Sequence, residues 1–285
     1  MIEGRGTGSG SEEWSSNVAT ATINGVSINY ERHGDAGEPL VFVHGWTGDV
    51  TDWRHQIAEF AGEYRVLAMD LRGHGASDAP RDRSTYTVLQ FADDVEGLIA
   101  HAGFERYHLV GHSMGGATVQ EIALRNPAPL LSLTIEDSGY DFAIRKIGSV
   151  VKFMESRNRL AEEKGMEAVA EMMAKFPSPP HGTPERREEE HERLRRMSVD
   201  GLIGGWDALT GWAGTEHRLA SLSVPTLLIY GELDGGVVKP MRAMATMIPG
   251  AREEVVPAAG HSPQYERPDV FNRALRAHLE RNRDS

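Results

Sequence analysis

Two rhythms of apolar residues alternate along this chain. The first is the short uninterrupted run: Leu40 to Val43, Val66 to Met69, Tyr107 to Val110. A strand covered on both faces reads this way, because neither face needs water-facing residues. In the second rhythm apolar residues fall three or four apart. Trp53, Ile57 and Phe60 make one such stripe, Leu89, Val95, Leu98 and Ile99 another, and Val119, Ile122 and Ala123 a third. That spacing is helical. Eight strands are predicted, over residues 18–23, 26–34, 40–45, 65–70, 107–111, 130–137, 226–234 and 252–257. The first two flank Asn24-Gly25, a dipeptide suited to a tight hairpin turn. Strands and helices alternate with crossover-sized gaps. The expected fold is α/β: an eight-stranded, mostly parallel sheet flanked by helices and opened by an antiparallel hairpin.

The rhythm breaks between residues 139 and 216, where no convincing strand occurs. That interval is expected to be a helical cap inserted after the sixth strand, leaving residues 13–138 and 217–285 as the core. Its charge run, Glu-Arg-Arg-Glu-Glu-Glu-His-Glu-Arg-Leu-Arg-Arg-Met over 185–197, reads as a solvated helix face. Residues 1–12 contain Ile-Glu-Gly-Arg and a Gly/Ser run and read as a disordered cleavage-linker remnant.

Composition narrows the function classes. A net charge of −12 with no basic stripe speaks against a nucleic-acid partner. No stretch is apolar enough for a membrane span, and no signal-peptide pattern opens the chain. With no cysteine there is no disulfide, thiolate zinc site or cysteine nucleophile, which fits the cytoplasm.

The candidate chemistry sits where the fifth predicted strand turns into a helix, at Gly111-His112-Ser113-Met114-Gly115. A nucleophilic serine must stand clear of the backbone beside donors that can hold an oxyanion. A tight strand-to-helix turn supplies both, and glycines flank it because a Cβ would collide in the bend. The hydroxyl needs a base. His261 lies just past the last strand, and Asp234, at the end of the preceding one, is placed to orient it. The chain order Ser113, Asp234, His261 is the one expected of such a sheet. Asp137, at the end of the sixth strand, is the rival acid. The oxyanion hole is assigned to the backbone N–H groups of Met114 and Trp46, the second from the turn after the third strand.

Taken together, "LVFVHGW", "VLAMDLRGHGASD", "LVGHSMGG", "LLIYGELD" and "GHSPQYERP" resemble the α/β-hydrolase fold superfamily over roughly residues 40 to 268. The resemblance implies a Ser113–Asp234–His261 triad, the oxyanion hole just described and a helical cap. The elbow serine excludes the branches that use an aspartate there, the haloalkane dehalogenases and epoxide hydrolases. The expected activity is a serine hydrolase that needs no cofactor or metal and cleaves a carboxylic ester or lactone through an acyl-enzyme. Two alternatives stand beside it. One is a carbon–carbon bond hydrolase acting on a vinylogous diketone, whose relatives usually carry tryptophan where Ser262 follows the histidine. The other is a non-catalytic ligand receptor on the same fold. The cap is expected to supply apolar pocket walls from Phe142, Ile147, Phe153, Met154, Trp206 and Trp212. The protein is expected to be a monomer or homodimer taking a small ester or lactone.

Overall fold

The computed structural model describes residues 17–142, 146–175 and 184–283. The expected linker remnant at residues 1–12 lies outside them. All eight expected strands form: β1 (Val18–Ile23), β2 (Val26–His33), β3 (Pro39–Val43), β4 (Arg65–Met69), β5 (Tyr107–His112), β6 (Leu130–Glu136), β7 (Thr226–Gly231) and β8 (Arg252–Val256). They build one sheet in the order β1-β2-β4-β3-β5-β6-β7-β8. β1 pairs antiparallel with β2, and β2 antiparallel with β4; every later pairing is parallel. The hairpin turn has Asn24 at φ 47° and Gly25 at φ 80°, the left-handed pair that matches strand twist.

Alternate residues of the central strands enter opposite cores. Val41 and Val43 of β3 belong to the core that takes in Phe91 of α2 (Val88–His101), Val119 of α3 (Met114–Arg125) and Met244 of α7 (Val238–Met247). Leu40 and Phe42 belong to the opposite core, with Phe60 of α1 (Arg54–Phe60) and Phe271 and Leu275 of the C-terminal helix α8 (Pro268–Arg281). Burial on both faces explains why these strands read as continuous apolar runs. Leu89, expected in the buried stripe of α2, is instead 53% exposed, because the inward face there runs through Val88, Phe91 and Ala92. β7 is shorter than expected. It stops at Gly231, and the side chain of Asp234 then accepts the Gly236 N–H at 3.1 Å in a turn.

Between β6 and β7 the described residues form helices and no strand: α4 (Gly148–Met173), bent at Gly165 (φ 79°), α5 (Pro184–Arg196) and α6 (Val199–Gly211). The charge run falls on α5 and is solvated on one side only, through Glu188, Glu192, Arg195 and Arg196. Arg186 and His191 are buried, and Arg186 Nη2 and Arg193 Nη1 donate to Asp52 at 2.9 and 2.6 Å. Burial pushes the Asp52 carboxyl up, but the two guanidinium charges overcome it and hold the group well below the usual carboxylate range. Because the folded value is depressed, the stability it brings is full above about pH 4 and is lost as the pH falls towards the folded value. Asp52→Asn should cost up to about 3 kcal/mol at neutral pH, since it removes the buried carboxylate that Arg186 and Arg193 share and leaves Arg186 with Glu190 at 2.8 Å and Arg193 with Asp49 at 3.7 Å. Denaturant unfolding at pH 7 checks this, and the gap between variant and parent should narrow as the pH is taken below 4. No helix among the described residues is long and apolar enough to cross a membrane.

Candidate active site

Ser113 stands between β5 and α3 at φ 53°, ψ −111°, a strained conformation for a residue with a side chain. Its neighbours hold it there. A Cβ on Gly111 would fall 2.4 Å from the Gly115 carbonyl oxygen, and one on Gly115 would fall 2.3 Å from that of Val43. Only glycine at both places lets α3 close so tightly on β5 and β3. The Ser113 N–H donates to the Glu136 carbonyl at 2.9 Å, tying the bend to β6.

The hydroxyl of Ser113 donates to His261 Nε2 at 2.9 Å. On the other side of the ring, Nδ1–H donates to Asp234 Oδ2. The turn that ended β7 thus uses one oxygen of Asp234 to cap Gly236 and leaves the second for the imidazole. Burial raises the Asp234 carboxyl, but the bond and charge of His261 outweigh it and bring it below its ordinary value. Asp137, the rival acid, lies behind Asp234. It is fully buried, its oxygens accept the Gly231 N–H at 3.2 and 3.3 Å, and it shares a hydrogen bond with Asp234. Burial, followed by the neighbouring charges of Glu136 and Asp234, pushes it well above the carboxylate range. A shift in this direction favours the neutral carboxyl, the form that can donate to Asp234. Asp137, Asp234 and His261 offer ligand atoms within 4.8 Å of one another, a spacing a cation could use. Here the histidine nitrogen and the carboxylates already serve each other.

Met114 opens α3, so its backbone N–H is one of the helix's unshared N-terminal donors. Trp46 lies in a turn closed by Gly48 N–H to Gly45 O at 3.0 Å. A Cβ on Gly45 would come within 3.0 Å of Ser113 Cβ, so this turn lies against the elbow. The two expected oxyanion donors therefore flank the serine from β3 and from α3.

A family model described as the alpha/beta hydrolase fold matches residues 38–268, well over half of the chain. The chain belongs to the α/β-hydrolase fold family. A 3-oxoadipate enol-lactonase of Acinetobacter baylyi is 30% identical over 92% of this chain and 96% of its own length. The dihydrolipoyllysine-residue acetyltransferase component of an acetoin cleaving system from Cupriavidus necator is 30% identical over 95% of this chain and 71% of its own. Among solved structures, a thermophilic esterase from Thermogutta terrifontis superposes with a TM-score of 0.81 at 28% identity, over 94% of this chain and all of that one. The enol-lactonase and the esterase support a hydrolase.

Within this α/β-hydrolase fold a cavity of about 360 Å³ opens over Ser113 and His261. Phe142, Met154, Trp206 and Trp212 line it, as do Trp46, Met114 and Val237. Ile147 and Phe153 are not among its lining residues, and Ile147 is 49% exposed. The walls are mainly aromatic and aliphatic, and the polar side chains among them are Thr47, Ser113, Asp137, Ser138, Asp141 and His261.

Sequence reasoning missed the residues that hold the His261 loop. Glu266 accepts the N–H groups of Gly260, at 2.6 Å, and Ser262, at 3.1 Å, on either side of the histidine. His112, the residue before the serine, donates from Nε2 to the His261 carbonyl at 2.6 Å. Burial pushes the His112 ring down to about 3, so it acts as a neutral donor. The sequence signal was adjacency: His112 is the last residue of β5, with its ring 5.0 Å from that of His261. His112→Ala should lower kcat by up to about 10²-fold, the scale set by small misplacements of a catalytic group, with little change in KM. Steady-state kinetics on an aryl ester check it.

Proposed function

We propose that this protein is a serine hydrolase of a carboxylic ester or lactone, working through an acyl-enzyme without cofactor. The observation that carries this reading is the unbroken hydrogen-bond chain from the Ser113 hydroxyl through His261 to Asp234. As Ser113 Oγ attacks the carbonyl carbon, His261 Nε2 takes its proton. Asp234 keeps Nδ1 protonated and stabilises the imidazolium. The N–H groups of Met114 and Trp46 take the charge that develops on the carbonyl oxygen. His261 returns the proton to the leaving alkoxide, which in a lactone stays tethered to the acyl group. The same imidazole then activates water, which releases the acid and restores the serine.

The helical segment 139–216 acts as the cap in this reading. Its apolar walls suit a medium-sized substrate with a hydrophobic acyl or alcohol part, a class to which neutral esters and lactones belong. The absence of cysteine from the sequence supports work in the cytoplasm.

A fluorophosphonate should label Ser113 stoichiometrically, with the site identified by peptide mass spectrometry. A nitrophenyl ester should release a burst of phenol equal to the enzyme present. An unlabelled Ser113 in natively folded protein would move the assignment to a ligand receptor. Turnover of a vinylogous diketone with none of any ester or lactone would move it to carbon–carbon cleavage.

A further inference from the structure

The turn that carries Trp46 is strained on its own. Thr47, a β-branched residue, sits at φ 63°, in the left-handed region such residues avoid. His44 holds one side of the turn: its Nε2 accepts the Leu71 N–H at 2.9 Å, so its Nδ1 carries the proton donated to the Gly45 carbonyl at 2.7 Å. The other side is held by the Trp46 indole, and the groups that hold it come from the cap. The indole N–H donates to the Leu202 carbonyl of α6 at 3.1 Å. A Cβ on Gly205, also of α6, would fall 2.5 Å from Trp46 Cδ1, so the helix backbone lies flush against the ring. From α4, the Arg157 guanidinium lies 4.4 Å from the ring centroid. Trp46 packs against both the sheet core and the small core inside the cap, formed by residues such as Ala161, Val169 and Leu202.

Among the described residues Arg157 makes one side-chain hydrogen bond besides the indole contact. It is 4% exposed, its Nη2 donates to Asn158 Oδ1 at 2.9 Å, and its Nε has no partner among the described residues. No carboxylate pairs with it among the described residues, and burial alone pushes the group down to about 10. A desolvated cation is costly to keep, and among the described residues the face of the indole and the Asn158 side-chain oxygen are what compensate this one.

We propose that Arg157 is a positioning residue for the oxyanion hole: by clamping the Trp46 indole from the cap, it keeps the strained 45–48 turn in the conformation that aims the Trp46 N–H at the oxyanion. This rests on the serine-hydrolase reading above. The cap then contributes to the chemical step as well as to substrate binding, because an interaction that tightens only in the transition state raises kcat and leaves KM alone.

The test compares Arg157→Met with Arg157→Lys, each measured for kcat, KM and the inhibition constant of an alkyl boronic acid. The tetrahedral boronate adduct of Ser113 places an oxygen where the oxyanion forms; the ground-state ester does not. Loss of one oxyanion donor costs about 10²–10³-fold, so misaiming one should cost about tenfold. Arg157→Met is expected to lose about tenfold in kcat and in boronate affinity together with KM unchanged, and Arg157→Lys to recover part of both. Gly205→Ala, which pushes the same ring from the α6 side, should repeat the pattern, and with Arg157→Lys it decides the matter if Arg157→Met fails to fold. Unchanged boronate affinity in a folded Arg157→Met or Gly205→Ala overturns the proposal. So does a rise in KM with kcat held, which would make Arg157 a substrate-binding group. If wild-type protein neither binds the boronate nor is labelled at Ser113 by a phosphonate, the serine-hydrolase reading itself fails and takes this one with it.

Discussion

Ser113→Ala is expected to reduce ester turnover by on the order of 10⁶-fold while substrate affinity changes less than about threefold, as found when a triad member that acts as a unit with its partners is removed. The asymmetry follows from where the hydroxyl sits. It accounts for the whole of the nucleophilic route through His261 Nε2, 2.9 Å away, but for little of the surface of a cavity walled by Trp46, Met114, Phe142, Met154, Trp206 and Trp212. What remains should be the acceleration contributed by binding and the oxyanion donors alone, about 10³–10⁴-fold over water. His261→Ala should cost a similar factor, and the double variant should be no slower than either single one, because each change by itself removes the covalent route. Retention of more than about 1% of the parent rate by Ser113→Ala, with contaminating hydrolases excluded, would contradict the assignment of the nucleophile.

The second large effect separates two carboxyls that lie side by side. Asp234→Asn should lower kcat by about 10⁴-fold, because an amide in place of the carboxylate can donate to Nδ1 and so select the tautomer that cannot take the serine proton. Asp137→Asn should cost less than about tenfold. Asp137 touches the site through Asp234, and an asparagine N–H in its place can donate to that carboxylate. kcat for the two variants against a common ester decides between them. A collapse in Asp137→Asn with a near-normal Asp234→Asn would transfer the acid to the end of β6.

Sequence alone was enough to place all eight strands, the antiparallel opening hairpin, the helical interval between β6 and β7, and Ser113, Asp234 and His261 each just beyond the strand that carries it. These are short-range signals. A strand buried on both faces imposes its apolar run on consecutive residues, and a glycine-flanked turn announces itself within five positions. Tertiary structure decided which of two strand-end acids meets the imidazole. It also decided that Arg186 and Arg193 leave the expected solvated face to pair with Asp52, and that His112 and Glu266 hold the His261 loop. It brought the indole of Trp46 under Arg157 as well. Whether a charged or polar group is buried, and what compensates it, depends on partners far along the chain, as the separation of 141 residues between Asp52 and Arg193 illustrates. Period and propensity carry no record of such a partner; only packing one element against another supplies it.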